Sequence, residues 1–281
     1  MADEPSSLDP LLPLDMARRA EEAGERKARM DAPRLFVLAV LAGAFIALGG
    51  IFATTALSGT SSLPWGPARV LGGAAFSLGL VLVIVGGAEL FTGNNLLVMA
   101  WASGRIGIGA VLRNWAIVYA GNFVGAVATA GLLAVAGTHR DGGGAFGATA
   151  LAIAHGKLQL GFVQAVALGI LCNGLVCLAV WLSYAGRSVT DRVAAIVLPI
   201  TAFVAAGFEH SVANMYFVPF ALFLQRVDPA AVASAHLPQG ALAWSAFLAT
   251  NLLPVTLGNL IGGTALVGAV YWFVYLRPRR T

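Results

Sequence analysis

The sequence predicts an all-α polytopic membrane protein with six transmembrane helices, arranged as an inverted 3+3 repeat in which each half contains one broken helix. Three observations lead there. Of 281 residues, 58% are hydrophobic and only 11% charged, against roughly 25% charged in an average soluble domain, and the mean hydropathy is +0.82. The charges leave uncharged runs long enough to cross a bilayer, about 20 residues each. The chain also carries one polar string twice, Glu89 to Asn94 and Glu209 to Asn214, both reading E-x4-N. This composition excludes disordered, coiled-coil and disulfide-bonded scaffolds. A net charge of +4, dispersed along the chain, predicts no nucleic-acid partner.

Residues 1–34 read as an N-terminal segment outside the membrane. Its acids and bases alternate, and no short apolar core follows a brief basic start, so no secretory signal is expected. Residues 15–30 are predicted helical, with Glu22/Arg26 and Glu25/Arg29 spaced four apart. Two roles fit this helix: a solvated anchor, or a lid over a cytoplasmic opening.

Residues 35–276 form the transmembrane domain. The first uncharged run, 35–68, holds one span and an exit loop at 58–67 (SGTSSLPWGP), rich in turn formers. The second, 70–88, is interrupted by Glu89. The third covers 115–138 and ends at the glycine-rich turn 141–144, the fourth runs over 158–182, and the fifth, 193–208, stops at Glu209 and His210. The last occupies 243–276, followed by a basic tail, 277–281. Cys172 and Cys177 lie within an apolar run and read as small packing residues.

An even number of spans puts both termini on one side. Thirteen Lys and Arg residues fall on that side, among them Arg277, Arg279 and Arg280; the opposite side has four, Arg69, Arg140, Lys157 and Arg226. Positive charge accumulates in the cytoplasm, so both termini are predicted to be cytoplasmic.

The repeat extends beyond the E-x4-N strings, because the span after each carries a second shared motif, 121–125 (GNFVG) and 258–262 (GNLIG). Three helices is an odd number, so duplicated halves run oppositely through the bilayer. Inverted repeats with broken helices let proteins expose backbone groups at membrane depth without leaving them in lipid. That is the geometry of a pore at the pseudo-two-fold axis.

Glu89 and Glu209 are the only acids within the spans, and an ionised carboxylate there costs several kcal/mol unless paired or hydrogen-bonded. The expectation is that each accepts hydrogen bonds from backbone N–H groups freed by its own helix break, with Asn94 and Asn214 supporting the breaks. Proton carriage is the other reading. His210 is the only histidine in a span, His139, His155 and His236 being expected in outer loops. It directly follows the break acid, where the first half has Leu90, and an imidazole there changes charge near neutral pH.

At these residues the chain resembles the formate/nitrite transporter family. The resemblance rests on residues 86–94 (GGAELFTGN), 121–125 (GNFVG), 177–187 (CLAVWLSYAGR), 207–214 (GFEHSVAN) and 254–259 (PVTLGN), and covers about residues 35–277. It implies an aquaporin-like protomer with its own pore, a homopentamer in the bacterial inner membrane, and passage of small monovalent anions: formate first, otherwise nitrite or hydrosulfide, sometimes with a proton. It places the family's central threonine on Thr92 and central histidine on His210, its pore asparagines on Asn173 and Asn259, and its vestibule lysine on Lys157. The hydrophobic constrictions fall on Phe76, Leu80, Leu90, Phe203 and Val176. Gly93 and the Asn94–Asn95 pair differ from some formate-channel members, which leaves the preferred anion open.

Two routes would carry an anion past such a ring. In one, a protonated His210 pairs with it while Thr92 donates a hydrogen bond; in the other, the anion takes a proton near the centre and crosses as a neutral acid. Lys157 would draw anions in, or simply snorkel to headgroups. No metal or cofactor is implied. A neutral-solute channel is the architectural rival, although neither break contains Asn-Pro-Ala. Haem ligation would need a second buried histidine, and no hydrolase or metalloprotease motif marks the chain as an enzyme.

Overall fold

The computed structural model describes residues 9–238 and 240–278 (the side chain of Ser61 excepted), and no β-strand occurs among them. Arg279, Arg280 and the rest of the 277–281 tail beyond Pro278 lie outside the described residues, as do residues 1–8.

Helix α1 (Pro13–Ala28) opens with proline in its first turn and Asp15 near its N-terminus, both favourable there. It is not a plain solvated helix. Its small face, Ala17, Ala20, Ala23 and Gly24, is buried, packed on the short helix α4 (Leu97–Ala102) and on α7 (Phe162–Ala185). Of the two expected intrahelical pairs, Glu25–Arg29 closes at 2.6 Å; no Glu22–Arg26 ion pair forms among the described residues. Glu21 instead turns inward to Arg105 at 2.7 Å.

The apolar runs become helices α2 (Ala32–Leu57), α3 (Trp65–Gly86), α5 (Ile108–Ala136), α7 and α11 (Trp244–Tyr275), which are long and apolar enough to cross a membrane. Asp31 caps α2 by accepting from the Arg34 N–H at 3.0 Å. Helix α5 begins well before residue 115, because Arg113 sits exposed near its start and donates to the Met30 carbonyl at 3.1 Å. Helix α11 contains two π stretches, Phe247–Leu252 and Gly262–Ala269. The expected fifth span falls on α8 (Val189–Ala205), which has 17 residues and is followed, past a break, by α9 (Ser211–Val227), also of 17. A short α10 (Pro229–Ser234) follows.

Helix α6 (Ala145–Leu158) was not expected, nor was the short α10. His155 lies in the last turn of α6, and His139 in a short 3-10 segment, buried, so neither occupies an open loop. For His139 the physical reason is an inward partner: its Nε2 lies 3.1 Å from the Asp228 carboxylate and ties α6's approach to the end of α9.

Helix α2 packs on α3 and α5, α3 on α8, α7 on α8 and α11, and α9 on α5 and α2. Their shared core includes Ile46, Phe76, Leu80, Val176, Ile200 and Phe220. Outside it, Val163 is 80% and Leu198 76% exposed. Apolar side chains this open suit hydrocarbon or a neighbouring protomer, not water.

Candidate functional site

The two breaks are built alike. Helix α3 ends at Gly86, and the next residue, Gly87, adopts φ +80°; past the end of α8, Gly207 adopts φ +78°. Glycine takes this left-handed conformation without steric penalty. In both places the following N–H closes back on the helix, Ala88 to the Val83 carbonyl at 2.9 Å and Phe208 to the Phe203 carbonyl at 3.0 Å, a Schellman-type end. The break glutamates then donate their backbone N–H groups to the helix before the broken one, Glu89 to the Leu38 carbonyl of α2 at 3.2 Å and Glu209 to the Leu168 carbonyl of α7 at 3.3 Å.

An asparagine from the repeated G-N motif holds each break. Asn122 Nδ2 donates to the carbonyls of Ala39 (2.7 Å) and Glu89 (2.9 Å), and its Oδ1 accepts from the Phe91 N–H at 2.9 Å. Asn259 donates to the carbonyls of Gly169 and Glu209, both at 2.9 Å, and accepts from the Ser211 N–H at 2.9 Å. These amides satisfy the backbone groups that a broken helix leaves bare.

This corrects the expectation for the glutamates, whose carboxylates bind side chains and not freed N–H groups. Glu89 Oε2 accepts from Asn94 Nδ2 at 2.7 Å and lies 3.1 Å from Lys27 Nζ. Lys27 also donates to Asn94 Oδ1 at 2.7 Å, and Asn94 donates to Asn114 Oδ1 at 2.9 Å. Glu209 repeats the arrangement. It accepts from Lys157 Nζ at 2.8 Å and from Asn214 Nδ2 at 2.6 Å, and Asn214 donates to Asn251 Oδ1 at 2.8 Å. The reason is geometric: the asparagines on α5 and α11 already occupy the freed backbone, leaving the carboxylates to the lysines.

Between the breaks stand His210 and Thr92. The Ala213 N–H donates to His210 Nδ1 at 3.0 Å, so His210 caps α9 and Nδ1 carries no proton. The ring proton therefore sits on Nε2, which lies 3.0 Å from Thr92 Oγ1. Thr92 accepts that bond, and its own hydroxyl hydrogen is left to point elsewhere. The Thr92 carbonyl is held by Asn173 Nδ2 and by the Cys177 thiol, each at 3.3 Å. Asn173 also donates to Asn95 Oδ1 (2.8 Å) and to the Asn259 carbonyl (2.7 Å), joining the two halves.

The expected constriction residues Phe76, Leu80, Leu90, Phe203 and Val176 are all buried. The Phe76 and Phe203 rings meet edge to face, centroids 5.7 Å apart, and Phe203 stacks on the His210 ring at 5.9 Å. Above them opens a cavity of about 540 Å³ walled by Leu57, Phe76, Phe203, Phe208 and Phe217, with Arg69, Lys157, Glu209 and His210 at its polar surfaces. Lys157 Nζ lies over the Phe217 ring, 5.4 Å from its centroid, and turns inward to Glu209.

The sequence did not disclose Lys27, Asn114, Asn122 or Asn251 as members of this arrangement. Asn122 was legible in the G-N repeat. Lys27 sat in a charge run that reads as a solvated face, and nothing in the spacing connects it to Glu89.

The profile of the formate/nitrite transporter family matches residues 14–273. The chain is 46% identical over 280 residues to the formate channel FocA of Escherichia coli, covering 98% of each chain. It is 39% identical to the formate channel FocA of Haemophilus influenzae over 269 residues, 92% of each. Among solved structures, a pentameric formate channel with formate bound aligns with a TM-score of 0.81 at 42% identity, over 88% of this chain and 98% of that one.

Proposed function

The chain belongs to the formate/nitrite transporter family, a family of membrane transporters and not of enzymes, and on that premise we propose that it conducts small monovalent anions, formate first, through a pore within each protomer. The observation that carries this reading is His210, which lines the cavity beside the Phe76–Phe203 contact and bonds to the buried Thr92 behind it. A bare anion is strongly disfavoured among those rings. The Thr92 hydroxyl hydrogen is a free donor at the place where the anion's water is lost, and an anion that displaces Thr92 Oγ1 gains the His210 Nε2–H as a second.

The geometry favours hydrogen-bond donation by a neutral imidazole over charge pairing. A doubly protonated ring would turn an N–H toward the Ala213 N–H and lose the α9 cap. In this reading the anion accepts from Nε2–H and Thr92 Oγ1 and takes its proton from the aqueous side, crossing the ring as a neutral acid. Asn173 and Asn259 act by fixing the breaks, since their amides are already engaged.

The architecture we propose is a six-span, inverted 3+3 repeat with an aquaporin-like protomer, α8 and α9 together making the fifth crossing. The support is the duplicated break, with matching glycine, glutamate, asparagine and lysine in each half. Assembly as a homopentamer in the bacterial inner membrane, both termini cytoplasmic, is proposed from the pentameric relative and from the distribution of Lys and Arg. Helix α1 is then a cytoplasmic element seated on the first break through Lys27.

Initial formate uptake into proteoliposomes tests the reading. Uptake should rise as external pH falls, because the anion is protonated from the aqueous side, and His210→Asn should lower the rate across that whole range; an unchanged rate removes His210 from the mechanism. Nitrite and hydrosulfide in the same assay rank the anions, and an osmotic assay with uncharged solutes that shows flux without anion passage would support the neutral-solute reading instead.

A further inference from the structure

The cavity above His210 contains three charged side chains, and two of them cancel. Lys157 and Glu209 are in direct contact at 2.8 Å. The third, Arg69, has no carboxylate partner among the described residues. Its guanidinium donates from Nε to the Ala205 carbonyl at 3.0 Å and from Nη2 to the Val204 carbonyl at 2.6 Å. Both are carbonyls of the last turn of α8, where a helix leaves acceptors unsatisfied. Gly207 allows this approach: a β-carbon there would sit 3.3 Å from Arg69 Nη2.

One edge of the guanidinium fork is thus bound to the end of α8, which fixes its plane. The end of the guanidinium, where one Nη1 hydrogen runs parallel to the second Nη2 hydrogen, has no acceptor among the described residues. A half-buried, immobilised guanidinium beside walls of phenylalanine is a stronger local field than a free surface arginine, because low-dielectric walls focus it. Its two-pronged edge matches a planar oxyanion bidentately, whereas a single-centred anion engages it only as a point charge.

We propose that Arg69 is the docking point for the anion on the Lys157 side of the pore, binding a planar oxyanion of the carboxylate or nitrite type before it reaches His210 and Thr92. Lys157, engaged with Glu209, is then the pore's structural cation and Arg69 its recruiting one. This assignment rests on the anion-conduction reading above.

The test is sided initial-rate measurement in oriented proteoliposomes with formate, nitrite and hydrosulfide, for wild type, Arg69→Gln and Arg69→Lys. From the Lys157 side, Arg69→Gln should raise half-saturation for formate and nitrite about tenfold, as expected for loss of a charge-assisted hydrogen-bonded pair, and weaken the dependence on ionic strength. Arg69→Lys should restore the ionic-strength dependence and the hydrosulfide half-saturation, but not those of the two oxyanions. From the opposite side, half-saturation should stay within about twofold of wild type, the scatter expected where no contact is lost.

Equal loss of rate from both sides with unchanged half-saturation, accompanied by a lower melting temperature, would mean that Arg69 only caps α8 and overturns the proposal. If Arg69→Gln does not assemble, the Arg69→Lys contrast between oxyanions and hydrosulfide decides alone. Wild-type protein that passes none of the three anions would refute the conduction reading itself. Normal wild-type transport with indifferent Arg69 variants would refute this inference only.

Discussion

Asn259 grips the second helix break as Asn122 grips the first: each amide donates at 2.9 Å to the carbonyl of the break glutamate and accepts at 2.9 Å from the N–H two residues further on. Both side chains are fully buried, so water cannot replace them.

Asn122→Ala and Asn259→Ala should therefore be about equally harmful. Each strands buried backbone groups, at about 1–3 kcal/mol apiece, so a melting temperature lowered by many degrees and a reduced yield of assembled protein are expected. Thermal unfolding in detergent checks this. A large loss at one site with none at the other would contradict the equivalence.

Thr92 joins the two halves through its hydroxyl. Thr92→Val keeps the shape and removes the donor, so formate flux should fall about 10-fold or more, the value of a hydrogen bond to a charged group, with normal assembly. Thr92→Ser should recover most of it. Stopped-flow uptake, paired with gel filtration to verify assembly, measures both.

The Lys27–Glu89 contact places the N-terminal helix on the first break. Glu89 is buried, and removing one member of such a pair costs about 3–5 kcal/mol, somewhat less here because the Lys27 side chain is 28% exposed. Lys27→Met and Glu89→Gln should each destabilise, and the double variant should lose less than the two losses added. A double-mutant cycle on unfolding midpoints reads this coupling; simple additivity would show that the contact contributes nothing.

Asp228, at the turn after α9, is held below its usual carboxylate range by the Ala231 N–H first and by His139 next. A depressed carboxylate stabilises the fold above its unfolded value, about 3.9, and the contribution vanishes as pH falls through the lower, folded value. Between pH 7 and 5 the Asp228 term should thus be constant. Acidification below about pH 4, the ordinary carboxylate range, should loosen α10, seen as faster hydrogen exchange over residues 229–235, and Asp228→Asn should show that faster exchange already at neutral pH.

Much of the fold was legible because lipid demands it. Runs without charge gave α2, α3, α5, α7 and α11 within several residues, and the two intramembrane glutamates marked both breaks. Helix α6 was hidden because it is short and ends in His155 and Lys157, which read as loop chemistry. At the site, Thr92, His210, Lys157, Asn94, Asn173, Asn214 and Asn259 were named from motif and resemblance, while Asn114 and Asn251 were not. The partners of the glutamates were not, since which lysine meets which carboxylate is decided by helix packing across sequence gaps such as that from Lys27 to Glu89. The error of assigning backbone donors to those carboxylates followed from treating each break as self-contained.

The break glutamates and the asparagines that grip them are answered within their own halves, from residues 27 to 122 around the first break and from 157 to 259 around the second. During synthesis, the leading half can therefore settle in the bilayer with its electrostatics resolved before the trailing half leaves the ribosome. What waits for the second half is the meeting of His210 with Thr92, the hold of Asn173 and Cys177 on the Thr92 carbonyl and of Asn173 on Asn95, and the packing of α3 on α8 and of α9 on α2 and α5. A damaged trailing half should then leave an insert whose break glutamate is paired but whose packing is unfinished, and separately translated halves should be able to find one another.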